Sequence, residues 1–427
     1  MAGRTKEERK VVIVGAGVSG LCCALELQEA GIPCVVLDAA ETPGGRVRTD
    51  RVEGFLLDRG FQVLLTAYPE ARRVLDFAAL RLGTFAPGAL VWTGGKLHRV
   101  ADPFRQPWAA PATLLAPVGS LGDKLRVARL RRQVRAGSLD DLLNRPEIST
   151  LEALRRRYLF SERMIQTFFR PFLGGIFLER ELATSSRMLD FVFRMLSLGR
   201  AALPAAGMGA IPAQLAARLA SKAPPGTLRL GMPVAALEDG RVRLADGGWI
   251  AAAAVVLATA ASDATRLLPG LNTPLSRSAA CIYYAADAAA RPPAVGRFLV
   301  LDGEGTGPVN NLCVPSNVAP SYAPAGKALI AASVVGDAAG GSGLEAAVRR
   351  QLTAWFGPEV ESWRHLRTDV IREALPARRS LEPADLPARC RPGLYLCGDH
   401  RTTPSLQGAM ASGRRAAAAI REERARV

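Results

Sequence analysis

Histidine is scarce in this chain: His98, His365 and His400 are the only three, and the seven cysteines form no C-x-x-C pair. Without clustered His and Cys there is no zinc-ligand spacing, and no metal site is expected. An odd cysteine count with no secretory leader argues for reduced thiols, so a cytoplasmic setting is expected. Residues 1–10 are polar, lack the apolar segment of a signal peptide and are expected to fray. No stretch reaches the ~18–20 apolar residues that a spanning helix needs. The closest, Trp249–Ala261, is short and mostly alanine, and reads as a strand with its flanks. Acids are outnumbered 39 to 55, giving a formal charge of +16. Helix-turn-helix, zinc and aromatic-basic RNA motifs are all missing, so nucleic acid is not expected as a partner. The positive charge leaves two readings: peripheral contact with an anionic membrane, or a basic surface with no partner. It is concentrated in Lys124–Arg135, which holds six basic residues and no acid except beyond its ends.

A hydrophobic content of 49% over 427 residues marks a folded chain, too long for one compact core. Val11–Val14 is a β-branched apolar run fit for one buried strand. Gly15, Gly17 and Gly20 follow as G-x-G-x-x-G, and Leu21, Ala24 and Leu25 continue at helical spacing to Gly31. A second run, Cys34–Leu37, ends at Asp38. This is a βαβ unit closed by an acid, the pattern of a dinucleotide site. Gly15 permits the tight turn, Gly17 lets backbone approach a pyrophosphate, and Gly20 packs helix on strand. The helix start, Ala16, Val18 and Ser19 included, turns free N–H groups toward phosphate. Asp38 suits a ribose hydroxyl.

Gly44, Gly45 and Arg46 follow almost at once. With them the sequence resembles the superfamily of flavin-containing amine oxidases, protoporphyrinogen oxidases and phytoene desaturases. The resemblance implies non-covalent FAD, with Arg46 on its pyrophosphate. It continues through Gly54, Phe55, Asp58 and Gly60, where Asp58 and Gln62 either face the isoalloxazine or merely cap turns. Pro204–Leu219 resembles the family's return to the FAD domain, after which the Val234 backbone is implied at the adenine. The C-terminal Gly398-Asp399, then Gln407-Gly408-Ala409 and Ser412-Gly413-x-x-Ala416, match the family's closing strand and helix. There the acid is implied on ribityl or pyrophosphate-side hydroxyls and the helix start at the flavin's pyrimidine end.

The fold class expected is α/β: a Rossmann-like FAD-binding domain interleaved with an α+β substrate domain of mixed sheet plus helices. Residues 1–68, 204–270 and 376–427 are assigned to the first. Residues 69–203 are assigned to a helical cap and 271–375 to the substrate sheet. Pro69–Leu80 and Leu151–Leu198 read as helical, and Ala89–Val100 as a hairpin around Gly94-Gly95. Phe168–Phe177 concentrates aromatics, which line a substrate cavity, fill a core, or do both. Trp108 and the apolar residues before the Lys124–Arg135 run either rest on a membrane or form an ordinary cap.

The implied activity is hydride removal from a small hydrophobic molecule by an oxidase or desaturase of carotenoid or porphyrinogen type, its electron acceptor unassigned. Amine oxidation is an alternative, weakened because Ser405-Leu406-Gln407 stands where amine oxidases carry a caging aromatic. A non-redox flavin-dependent isomerase and a non-catalytic flavin-binding protein complete the alternatives. His400, beside Asp399, is the one titratable candidate for catalysis, against an ordinary polar loop residue.

Overall fold

The computed structural model describes residues 10–102, 104–289 and 295–426. The expectation of a frayed start falls on residues outside this range, Lys10 excepted.

Strand Lys10–Val14 lies between Cys34–Leu37 and Trp249–Leu257, parallel to both. Its residues Val11 to Ile13 are wholly buried, as expected of a strand covered on both faces. Leu228–Arg229 extends this sheet on one side, and Leu394–Leu396 pairs in parallel with Trp249–Leu257 on the other. Val234–Glu238 and Arg241–Leu244 add an antiparallel flap. The first and last parts of the chain therefore build one sheet.

The opening helix Val18–Glu29 packs against the closing helix Leu406–Ala425. The contact is close because it is made through glycine: a Cβ at Gly413 would lie 2.1 Å from the Ser19 carbonyl oxygen. The small-residue spacing Ser412-Gly413-x-x-Ala416 serves this approach.

The second sheet has seven strands, in the order Arg364–Pro376, Ser276–Asp287, Lys327–Val335, Val309–Cys313, Leu299–Asp302, Gly88–Thr93, Lys96–Ala101. It is mixed: only Leu299–Asp302 and Gly88–Thr93 run in parallel. Along Ser276–Asp287 the side chains alternate. Cys281 and Tyr283 enter the core that also holds Val11, Ile13 and Val36 of the first sheet, while Ile282 and Tyr284 enter a second core. Val348, Leu352 and Trp355 of helix Leu344–Phe356 cover that outer face. The inner face is thus free to wall a cavity. The hairpin around Gly94-Gly95 forms as expected and joins this sheet.

Two helical expectations are corrected. Pro69–Leu80 is two short helices, Pro69–Val74 and Phe77–Leu80, because Asp76 stops the first and caps the second through Ala78 N and Ala79 N. The Leu151–Leu198 stretch is broken by serines that start new helical pieces, Ser161 and Ser185, each accepting from a first-turn N–H. Wide turns at Ala153–Arg157 and Ile165–Phe169 and left-handed Leu178 and Leu182 complete the breaks.

Candidate functional site

Gly15 sits at φ +111°, and a Cβ there would lie 2.7 Å from the Ala258 carbonyl oxygen. A Cβ at Gly20 would lie 2.0 Å from the Gly15 oxygen, so these two glycines are demanded by packing alone. Gly17 differs: a Cβ there meets no atom within 4 Å, and the residue lines a cavity of about 1750 Å³. The helix that follows has no side-chain cap and no acid in its first turn. Its first N–H groups and positive dipole end are left for an anion. Gly44 and Gly45, both at positive φ, bring the second turn against the first, with Gly17 and Gly44 bridged. Open space over Gly17, free donors and a second glycine turn are what a pyrophosphate requires, so the residues fit FAD.

Asp38 lines the same cavity and accepts from Ala16 N at 2.6 Å and Ala40 N at 2.8 Å. Arg46 turns to the far end of the chain. Its Nη1 and Nη2 donate to the two Asp399 oxygens at 2.9 and 2.5 Å, and Nη1 also to the Ala374 carbonyl at 3.2 Å. This two-pronged pair ties residues 353 positions apart, and Asp399 holds the guanidinium still more firmly in its charged form. Gly398 precedes it with its N–H on the Ser412 hydroxyl.

Of the residues assigned to the cofactor from sequence, Gly15, Gly17, Val18, Ser19, Asp38, Gly44, Gly45, Arg46, Val234, Gly398, Asp399 and Ala409 line this cavity. Ala16 and Gly20 lie just behind its wall. Gln407 turns away and accepts from Glu70 N at 2.9 Å. At Gly408 a Cβ would meet the Thr403 oxygen at 1.9 Å, so it is a packing glycine. Its N–H is held by Ser405, the cap of the closing helix.

His400 is not on the cavity wall. It is buried behind Gly398, its Nε2 has no hydrogen-bond partner, and burial pulls it down to about 4, so it stays neutral. Gln62 does face the cavity, and its Nε2 donates to the Arg46 and Arg59 carbonyls at 2.9 Å. Asp58 does not face it. Its carboxylate accepts from Thr49 Oγ1, Met208 N and Tyr322 Oη, and its carbonyl from Tyr283 Oη. It is a buried joint between the two halves of the molecule.

Beyond the glycine cradle the cavity becomes apolar. Phe168, Phe172 and Ile176 line it, while Phe169 and Phe177 pack in the core, so the aromatic run does both things expected of it. Phe104, Leu114, Leu121 and Leu125 line the cavity and are themselves exposed, so it opens to the surface beside them. No cysteine among the described residues lines the cavity, in keeping with a non-covalent cofactor. No cluster of three or more His, Cys, Asp or Glu among them is placed to hold a metal ion. Two wall residues went unmarked in the sequence: Asn311 and Ser333, on neighbouring strands. The signal available was Asn310-Asn311 inside an otherwise apolar run, since asparagine is depleted in strands.

Comparison with known proteins agrees with this geometry. An L-amino-acid oxidase of Sistrurus catenatus edwardsii is 42% identical over 81 residues, 19% of this chain and 16% of that protein. Phytoene desaturase (lycopene-forming) of Pseudescherichia vulneris is 45% identical over 56 residues, 13% of this chain and 11% of that one. Protoporphyrinogen oxidase 2 of Arabidopsis thaliana is 37% identical over 73 residues, 17% and 14%. These matches thus span less than a fifth of each relative. Whole-chain likeness appears in solved structures. An oxidoreductase from Methanosarcina mazei has a TM-score of 0.73 at 19% identity, covering 97% of this chain and 100% of that one. Cyclohexylamine oxidase from Brevibacterium oxydans has a TM-score of 0.68 at 16% identity, covering 98% and 99%. Identities this low establish the fold alone, an α/β architecture. The family model described as flavin containing amine oxidoreductase matches residues 18–421, and the chain belongs to that family.

Proposed function

We propose that this chain is an FAD-dependent oxidoreductase acting on a largely apolar small molecule that it takes from an anionic membrane surface. One observation carries the reading: a single cavity joins the glycine cradle, the aromatic wall and a mouth set in exposed apolar side chains. FAD, when bound, supplies the hydride-accepting chemistry. The chain binds and orients. Val18, Ser19 and Gly20 offer N–H groups and Arg46 a cation to the pyrophosphate, Asp38 an acceptor to the ribose, and the Val234 backbone a contact to the adenine. Asp399 fixes Arg46, and the closing helix starts at the flavin's pyrimidine end. The apolar wall excludes water from the reacting centre.

The mouth supports the membrane part. Six of the eleven exposed large hydrophobics among the described residues, Phe104, Trp108, Leu114, Leu115, Leu121 and Leu125, fall within 22 residues. Such clustering marks an interaction surface. Helix Leu121–Arg135 beside it carries Arg129, Arg132 and Arg135 exposed, while its only acid, Asp123, is buried. Arg105 and Arg131 share the single carboxylate of Asp102 at the mouth. An apolar patch with a cationic rim matches an anionic bilayer and opposes a cationic amine. No helix among the described residues is long and apolar enough to cross a membrane.

The purified protein is expected to be yellow, absorbing near ~450 nm as flavin does. It is expected to float with vesicles containing phosphatidylglycerol, and less so in high salt or with phosphatidylcholine alone. Trp108→Ser/Leu115→Ser is expected to abolish flotation and leave the colour. A colourless protein sinks the cofactor reading, and equal flotation of parent and variant sinks the membrane reading. Faster peroxide release or acceptor reduction with amines than with carotenoid or porphyrinogen substrates would favour amine oxidation instead.

A further inference from the structure

Asn311 and Ser333 stand directly opposite each other on strands Val309–Cys313 and Lys327–Val335. Cys281 is opposite Ser333 on the next strand, and Asp369 opposite Cys281 on the one after. Directly paired residues share a sheet face, so the row Asn311, Ser333, Cys281, Asp369 runs across the inner face of the second sheet. Asn311, Ser333 and Asp369 line the cavity.

The row is polar, and its hydrogen bonding is incomplete. Asp369 is satisfied: Arg367 reaches both its oxygens at 2.8 Å. Ser333 is 7% exposed, and its Oγ makes no hydrogen bond. Asn311 is 2% exposed. Its orientation is set by its neighbour. Asn310 Nδ2 donates to the Pro171 carbonyl at 2.8 Å and to Asn311 Oδ1 at 2.9 Å. A carbonyl only accepts, so Pro171 fixes which end of Asn310 is nitrogen, and Asn310 then fixes Asn311. The Asn311 oxygen is used, and its Nδ2 has no acceptor among the described residues. The helix Arg170–Phe177 closes on this pair through Gly175, where a Cβ would lie 2.8 Å from Asn311 Oδ1.

Buried polar groups without partners are costly and are retained where they serve a ligand. Two adjacent groups able to donate, an amide N–H and a hydroxyl, can together engage one acceptor oxygen. We infer that Asn311 and Ser333 form a subsite for a carbonyl-type oxygen carried by an otherwise apolar substrate. The flanking apolar wall takes the hydrocarbon body, and the donors fix which carbon faces the cofactor. The inference rests on the cavity being the substrate site, and it narrows the substrate to apolar molecules bearing such an oxygen.

The test uses the FAD-loaded full chain and three probes of equal length: 2-nonanone, nonane and 2-aminononane. Binding is read from thermal midpoint shifts and from perturbation of the flavin absorbance. The ketone is expected to bind about tenfold tighter than the alkane, the scale of one well-placed buried hydrogen bond. Ser333→Ala and Asn311→Leu are each expected to remove most of that preference. Ser333→Ala is also expected to leave the ligand-free midpoint unchanged or higher, because the hydroxyl it deletes has no partner. Equal binding of ketone and alkane, no binding of the ketone, a tighter amine, or an undiminished preference in both variants overturns the subsite. Flavin retention is scored separately, so loss of the cofactor reading is not confused with loss of this one.

Discussion

Gly17→Ala is expected to fold like the parent chain and fail to hold flavin. A methyl at this position meets no protein atom within 4 Å, and the backbone there, at φ −69° and ψ 175°, suits any residue. Folding therefore loses nothing. The methyl instead enters the space over the uncapped start of helix Val18–Glu29, where the cofactor's phosphates must come close to backbone. Holding them off by about a methyl radius weakens several charge-assisted hydrogen bonds together, and loss of two of them is worth on the order of 3 kcal/mol, about a hundredfold in affinity. Gly20→Ala is the control. Its methyl would lie 2.0 Å from the Gly15 oxygen, so that variant loses thermal stability first and flavin as a consequence. Absorbance of the purified proteins beside their apo thermal midpoints separates the two. An apo Gly17→Ala protein that melts well below the parent, or one that remains fully yellow, contradicts the argument.

The same pair shows what was legible in the sequence. Glycine spacing encodes backbone geometry locally, so the first turn, the Gly44-Gly45 turn and the Gly398-Asp399 turn could be read without coordinates. Gly17 and Gly20 look alike in the motif, yet one faces open space and the other a carbonyl oxygen. Only the fold separates them. Arg46 was assigned to phosphate from its tripeptide, and its engagement with Asp399 depends on a turn 353 residues away. His400 drew attention because histidine is scarce, but the turn after Gly398 puts its ring behind the wall. Asn311 and Ser333 become neighbours through strand register, which no local pattern reports.

Asp58 illustrates that limit best and carries the second large effect. Its motif position suggested the flavin face, whereas its partners Tyr283 and Tyr322 lie 225 and 264 residues away. Asp58→Ala leaves the Thr49 hydroxyl, the Tyr322 hydroxyl and Met208 N without their acceptor, at about 1–3 kcal/mol for each group left unsatisfied. Burial pushes the Asp58 carboxyl up from 3.8 to about 6, against the hydrogen bonds that pull it down. The folded state then holds this proton more tightly than the unfolded one. Its stabilising contribution is complete below about pH 4 and is lost as pH rises through about 6. At about 1.4 kcal/mol per pH unit, the contribution is on the order of 3 kcal/mol. Asp58→Asn keeps the shape and cannot titrate. Its stability relative to the parent is therefore expected to improve by that amount between pH 4 and pH 7.5 in paired denaturant melts. A constant difference across the window would mean that the carboxyl does not titrate there. Because Asp58 ties strand Ser276–Asp287 of the second sheet to Met208 and Tyr322, Asp58→Ala should release flavin along the same curve on which it unfolds. Gly17→Ala should release it with the fold intact, and that contrast tells a defect in the joint from a defect in the cradle.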